Sequence, residues 1–319
     1  MEKYYIGVDI GGTSIKQALI TTTGVIVDKW ETPTDKQRGG SLIPLHIATS
    51  IKQKLAEHHI NKEQIIGIGA GAPGFVDVKN GVIYEAVNIG WENFHLKGLI
   101  EKELDISTYV LNDANLAALG ENWLGAGQGH DHLIVVTLGT GVGGGIIVND
   151  QVINGVNGTG GEIGHIIVTP NEGEHCNCGR LGCIETYASA TGIARLGIQA
   201  IQEGKTTSLS QVYDTTGTLT SKDVFAEASK GDQVAQAIID YIADLLGRML
   251  ANLSVAINPS KIVIGGGVSK AGEQLLQPIR LSFESYALNR IADACDIAIA
   301  QLGNDAGVIG AAYFVKQQQ

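Results

Sequence analysis

Two stretches of the chain share one make-up: an apolar strand, a turn built largely of glycine, and a second apolar strand. They read IGVDIGGTSIKQALI near the start and VVTLGTGVGGGIIVN near the middle. Glycine lets backbone N–H groups converge without a Cβ in the way, so each turn is either a bare hairpin or a cradle for phosphate oxygens. The recurrence of the whole pattern predicts two similar α/β halves with a cleft between them. A length of 319 residues accommodates two medium domains.

Periodicity fills in the rest. Segments 4–10, 14–21 and 25–31 are predicted as an antiparallel meander. Leu42, Leu45, Ile47, Ile51 and Leu55 fall near helical spacing within 42–59. Segments 65–69 and 109–111 read as strands, and Asn112-Asp113 stands directly before a helical run over 114–124. Strands are expected at 133–138 and 145–148. A long helix over 234–257 is stopped by Asn258-Pro259, and a strand over 261–264 runs into Gly265-Gly266-Gly267. A terminal helix is expected over 305–315. The expected domains are a smaller one of 1–114 with 302–319, and a larger one of 115–301.

With 22 Lys+Arg against 33 Asp+Glu the net charge is −11, and no basic cluster stands out, so nucleic acid is not an expected partner. No apolar run reaches the roughly 18 to 20 residues that cross a bilayer. The opening MEKYYIGVDI has no signal-peptide pattern, and the chain is expected in the cytoplasm, without a membrane partner. Three of its four cysteines, Cys176, Cys178 and Cys183, crowd together while Cys295 stands alone. That spacing fits a metal site better than a disulfide framework.

GAGAPG at 69–74 and GTGVGG at 139–144 both match GxGxxG, the dinucleotide-binding pattern. That motif requires a helix after the turn. FVDV and GIIV follow instead, both strand-like, so a Rossmann site is rejected. Nothing matches GxxxxGK[ST], which excludes a P-loop.

The set DIGGT, TLGTGVGGG, IVIGGGVS, GGEIGH and CNCGRLGCIE resembles the ROK family of sugar kinases over nearly the whole chain, from Tyr4 to about Val315. Within the family, NIGW at 88–91 and ETYASATG at 185–192 are most similar to the bacterial glucokinases. The resemblance implies an α/β protein of the actin-like ATPase (ribonuclease H-like) fold, with two domains closing over sugar and ATP, and a homodimer. Family members that repress transcription carry an added helix-turn-helix at the front. No such segment is expected here, and Asp113 with both phosphate turns points to a kinase.

Phosphoryl transfer is mostly positioning and charge neutralisation, with one base for the attacking hydroxyl. Asp113 begins a helix after a strand, where it is either an N-cap or a cleft-facing base; the resemblance of NDANLAALGE implies the base. Asp9, before the first turn, suits Mg²⁺ held directly or through water. The ATP and Mg²⁺ set is then Asp9, Gly11, Gly12, Thr13, Lys16, Thr140, Gly141, Gly143, Gly265, Gly266 and Gly267, although Lys16, on the second hairpin strand, reads more readily as a surface lysine. His165, Cys176, Cys178 and Cys183 give four N/S ligands, a closed tetrahedral set for structural zinc. His175 adjoins Cys176 as a rival ligand, and the family pattern favours His165. Resemblance assigns the sugar hydroxyls to Asn88, Asn112, Asp113, Glu162, His165 and Glu185. The expected activity is ATP-dependent phosphorylation of the 6-hydroxyl of glucose. The alternatives are a kinase for fructose, mannose or N-acetylmannosamine, or a sugar-sensing protein without catalysis.

Overall fold

The computed structural model describes residues 2–170 and 173–319. Strand β1 (Tyr4–Ile10) pairs antiparallel with β2 (Ser14–Thr21), and β2 with β3 (Ile26–Pro33). Helix α1 (Ile43–Glu57) leads to β4 (Ile65–Ala72), which joins the other side of β1 in parallel. Short strands β5 (Phe75–Asp77), β6 (Val82–Ala86) and β7 (Trp91–Phe94) make a separate antiparallel sheet. After α2 (Leu96–Leu104), β8 (Thr108–Asn112) completes the main sheet in the order β3-β2-β1-β4-β8, and α3 (Asp113–Leu124) follows without a gap.

The second sheet repeats this layout. Its strands are β9 (His132–Leu138), β10 (Val142–Val148), β11 (Gln151–Val152), β12 (Lys261–Gly265) and β13 (Asp296–Ile299), in the order β11-β10-β9-β12-β13. As in the first sheet, three consecutive strands are extended on one side by two later parallel strands. Between β11 and β12 come α4 (Glu185–Ala188), α5 (Ala190–Gln202), α6 (Leu209–Thr216), α7 (Ser221–Ser229) and the long α8 (Gln233–Ile257). Helices α9 (Glu273–Tyr286) and α10 (Asn289–Ala292) precede β13, and α11 (Ala306–Gln317) ends the chain.

Alternation along β1 sets up the first unit. Tyr4, Ile6, Val8 and Ile10 face a core shared with Ile43, Ile47 and Ile51 of α1 and Ile100 of α2. Tyr5 turns to the opposite face, where Val308, Ala312 and Val315 of α11 cover the sheet. On that face β1 and β4 carry glycine, which brings the α11 backbone into direct contact with the strands. A Cβ on Gly7 would stand 2.1 Å from the Val308 carbonyl oxygen, and one on Gly69 would stand 2.0 Å from that of Ala311. The glycines of GAGAPG therefore serve helix packing. Gly69→Ala forces helix and sheet apart and is expected to destabilise the protein by about 1 to 3 kcal/mol, read as a lower urea midpoint at unchanged slope.

The chain forms two compact units, Met1–Gly129 with Gly145–Gly161 and Leu302–Gln319, and His130–Gly144 with Glu162–Gln301. This corrects the expected boundary after 114, because residues 115–129 and 145–161 group with the first unit. Helix α3 is held there by α11: an added Cβ on Gly310 would stand 1.7 Å from the Leu116 carbonyl oxygen, and one on Gly120 would stand 2.2 Å from that of Ala306. Gly145 in turn packs against Ala118 of α3.

Candidate active site

In the first unit, the register aligns Asp9 with Gly71 and Ala72 with Asn112. Asp9, the turn of Gly11 to Thr13, Asn112 and Asp113 therefore gather at the carboxyl ends of three neighbouring parallel strands, where open α/β sheets bind ligands. Asp9 faces α11, and its carboxylate lies against Gly307; an added Cβ there would stand 2.8 Å from the Asp9 Cγ. Burial pushes the Asp9 carboxyl above the ordinary carboxylate range, and the charge of Lys16, its cross-strand partner, opposes the rise. The turn is closed by the Gly11 N–H donating to the Ser14 carbonyl at 2.9 Å.

Asn112, not Asp113, is the cap of α3. Its Oδ1 accepts the N–H groups of Ala114 at 2.9 Å and Asn115 at 3.1 Å, and its amide donates to the Gly74 carbonyl at 3.1 Å. Asp113 is the first residue of the helix, half-buried, and its Oδ1 also accepts the Ala114 N–H at 2.8 Å. A carboxylate in this first turn is favoured by the helix dipole. Asn88 sits exposed on the turn after β6. That turn is pinned by buried Ile89 and by Trp91, whose indole N–H donates to the Gly40 carbonyl at 3.3 Å.

The second unit brings two glycine turns together at the ends of β9 and β12, which run in parallel with Thr137 beside Gly265. Gly266, with φ of +84°, touches the Leu138 backbone so closely that an added Cβ would stand 2.4 Å from its carbonyl oxygen. The β9–β10 turn is clamped from the helical side. Ala190 N–H donates to the Gly139 carbonyl at 2.7 Å, and the Thr191 hydroxyl donates to the Thr140 carbonyl at 2.8 Å. Glu185 Oε2 accepts the Val142 N–H at 3.0 Å and lies against Gly141. Gly143 falls within β10, past the turn itself.

His165, Cys176, Cys178 and Cys183 converge, with one ligand atom from each lying within 4.8 Å of all the others. Cys176 Sγ is 3.5 Å from His165 Nδ1, and Cys178 Sγ is 3.6 Å from Cys183 Sγ. A tetrahedral zinc with Zn–S of about 2.3 Å and Zn–N of about 2.0 Å spaces its ligands roughly 3.5 to 3.8 Å apart, so the set fits. Burial and the neighbouring thiols push the Cys183 thiol up to about 12, and a cation is what lets such thiols ionise together. His175 is not in the cluster; it bridges to Leu181 instead. Cys295 is a lone buried thiol, as expected of a small hydrophobe.

Glu162 and Glu185 border the cluster. Cys176 Sγ lies 3.8 Å from Glu185 Oε1, and His165 Nε2 lies 3.9 Å from Glu162 Oε2. Burial raises the Glu162 carboxyl above its ordinary value, His165 opposes the rise, and the charge of Glu185 adds to it. A zinc held through Nδ1 would leave the His165 Nε2–H as a donor on the side of Glu162.

The sequence model of the ROK family matches residues 5–318. The chain belongs to the ROK family. It is 55% identical over its whole length to the glucokinase of Halalkalibacterium halodurans, covering 96% of that protein. It is 36% identical to the glucokinase of Thermotoga maritima, with 98% of this chain and 97% of the relative covered. Among solved structures, a ROK glucokinase from Streptomyces griseus in complex with glucose and AMPPNP is similar, with a TM-score of 0.78 and 35% identity over 98% of this chain and 99% of that one.

The ROK fold is the actin-like ATPase fold, and the two five-stranded sheets of this chain, with their matching orders, are its repeated α/β element. Two features of this ROK site escaped the sequence reading: Gly307, which makes room for the Asp9 carboxylate, and the hydrogen bond by which Glu185 holds the second turn. Gly307 was legible only as one more small residue of a helix. No described helix is long and apolar enough to cross a membrane.

Proposed function

We propose that this ROK protein is an ATP-dependent glucokinase, transferring the γ-phosphoryl group of ATP to the 6-hydroxyl of glucose. The observation that carries the reading is the position of Asp113, at the head of α3 on the same sheet edge as Asp9 and the first glycine turn. Asp113 takes the proton of the 6-hydroxyl as that oxygen bonds to the γ-phosphorus. The bond from phosphorus to the bridging oxygen breaks, and ADP leaves with the electron pair. Asp9 holds the Mg²⁺ that comes with ATP, an ion whose chemistry is to neutralise charge on the β- and γ-phosphates.

Gly11 to Thr13, Thr140-Gly141 and Gly265 to Gly267 approach the nucleotide through backbone, with Lys16 balancing Asp9. Glu162, His165, Glu185 and Asn88 meet the sugar hydroxyls, and Asn112 contributes the amide N–H that its bond to the Gly74 carbonyl leaves over. His165, Cys176, Cys178 and Cys183 hold a structural zinc. The protein works in the cytoplasm, where thiols stay reduced, and as a homodimer in keeping with the family resemblance.

A sugar panel with ATP, read as ADP release, tests the proposal. Glucose is expected to give the highest kcat/KM, mannose and 2-deoxyglucose lower values, and fructose the lowest. A misdirected hydroxyl leaves a carboxylate or imidazole unpaired, at about 1 to 3 kcal/mol per contact. Glu162→Gln is expected to raise the glucose KM about tenfold and to leave the KM for ATP within about twofold. A higher kcat/KM for N-acetylmannosamine or fructose moves the substrate within the kinase class. Absence of ADP release with every sugar of the panel leaves only a binding protein and overturns the reading.

A further inference from the structure

Lys16 follows the first glycine turn closely in sequence, but it stands in register with Asp9, and its charge acts on that carboxylate. A different lysine lies over the turn. Lys36 Nζ is 3.8 Å from where a Cβ on Gly12 would stand, and apart from the chain neighbours of Gly12 no other described atom comes within 4 Å of that point.

The placement is built into the backbone. The segment that carries Lys36 is stitched to the turn by Thr34, whose hydroxyl donates to the Gly11 carbonyl at 2.7 Å and whose N–H donates to the Thr13 carbonyl at 3.0 Å. Lys36 is also uncommitted. Lys29, Lys54, Lys62 and Lys261 each pair with an aspartate, whereas the Lys36 ammonium makes no ion pair or hydrogen bond among the described residues. Its neighbour Asp35 turns its carboxylate to the Gln37 N–H at 2.9 Å.

An ammonium held over a glycine turn, with no carboxylate of its own, leaves a positive charge there uncompensated, and a phosphate oxygen seated on the turn would satisfy it. We propose that Lys36 contacts the terminal phosphate of the nucleoside triphosphate over the Gly11 to Thr13 turn, as a charge that clamps the phosphoryl group to be transferred. This deepens the kinase reading and rests on it. A compact point charge on a flexible stem can follow that group as it moves to the acceptor, whereas the fixed N–H groups of the turn cannot.

The test compares wild type, Lys36→Met and Lys36→Arg by calorimetric binding of MgAMPPNP and MgADP, with steady-state kinetics alongside. Lys36 is exposed, and both variants are expected to keep the wild-type circular dichroism and melting temperature. For Lys36→Met, MgAMPPNP binding is expected to weaken about tenfold or more and MgADP binding by less than about threefold, while kcat/KM for MgATP falls at least about tenfold at an unchanged glucose KM. Lys36→Arg is expected to recover most of the loss. MgAMPPNP affinity within twofold of wild type in Lys36→Met overturns the proposal, and so does an equal loss for both nucleotides. If the wild-type protein proves unable to phosphorylate glucose, the glucokinase reading fails by itself. The contrast between the two nucleotides, which needs no turnover, still decides the role of Lys36.

Discussion

Asp113→Asn is expected to lower kcat for glucose phosphorylation by about two to four orders of magnitude, the usual worth of a general base. Glucose binding is expected to stay within about threefold of wild type. The substitution is nearly isosteric, and the new amide oxygen can still accept the Ala114 N–H that Asp113 Oδ1 now accepts at 2.8 Å. Asn112 keeps its own capping bonds, so α3 retains its start. The stability change is limited to the lost charge in the first helical turn, about 0.3 to 1 kcal/mol. A fall in kcat at nearly constant sugar affinity marks a group needed in the transition state rather than for ground-state binding. The measurements are single-turnover phosphorylation for the chemical step and calorimetry for glucose. Turnover near wild type in this variant removes Asp113 from the mechanism.

The residues legible from sequence are those whose chemistry is local. The strand, glycine turn and strand pattern at Asp9 to Thr13 has a period and a turn composition that need no distant partner, and β1, β2 and their turn fall where the pattern places them. Helix α8 was readable for the same reason, its apolar period running unbroken to Asn258, which takes the left-handed conformation just before Pro259. The cysteine cluster was readable because Cys176, Cys178 and Cys183 lie close in the chain and the metal geometry is stereotyped.

What sequence did not give was set by packing between distant segments. The strand after GAGAPG excludes a Rossmann turn, but what Gly69 and Gly71 are for shows only once α11 is seen against Gly69 and Leu116 against Gly71. The grouping of α3 with the first unit depends on close backbone contact with α11, which nothing in 115–129 announces. Lys36 was passed over because the bonds of Thr34 that bring it to Gly12 run between a turn and a loop separated by two strands.

Glu185 shows how one side chain joins parts that the motifs present separately. Its Oε1 faces Cys176 at 3.8 Å and its Oε2 holds the Val142 N–H at 3.0 Å, so the cysteine cluster and the β9–β10 turn share a carboxylate. Two isolated β-bridges, Ile167 with Cys183 and His175 with Leu181, are the sheet-like pairing of the cluster's own loops. Backbone hydrogen bonds also tie these loops, from the Ile184 N–H to the Ile166 carbonyl at 2.9 Å and from the Cys176 N–H to the Arg180 carbonyl at 2.8 Å, and the four ligands converge on that frame.

Metal loss is therefore expected to act on more than one property. Chain purified without added metal is expected to contain about one zinc per molecule by elemental analysis. Cys178→Ser, which removes an exposed ligand and disturbs little packing, is expected to lower zinc content and to destabilise the protein by about 4 kcal/mol or more, the range reached when a structural metal is lost. Glucose binding is expected to weaken in parallel, because His165 and Glu185 lose the anchor that orients them. The β9–β10 turn should loosen as well, seen as faster hydrogen exchange at Val142, whose N–H is held by Glu185. Exchange at the Gly11 to Thr13 turn, in the other unit and stitched by Thr34, is expected to stay at the wild-type rate. That contrast separates a local effect of the metal from general unfolding. A zinc-free protein with wild-type melting temperature and glucose affinity overturns the structural role assigned to the four ligands.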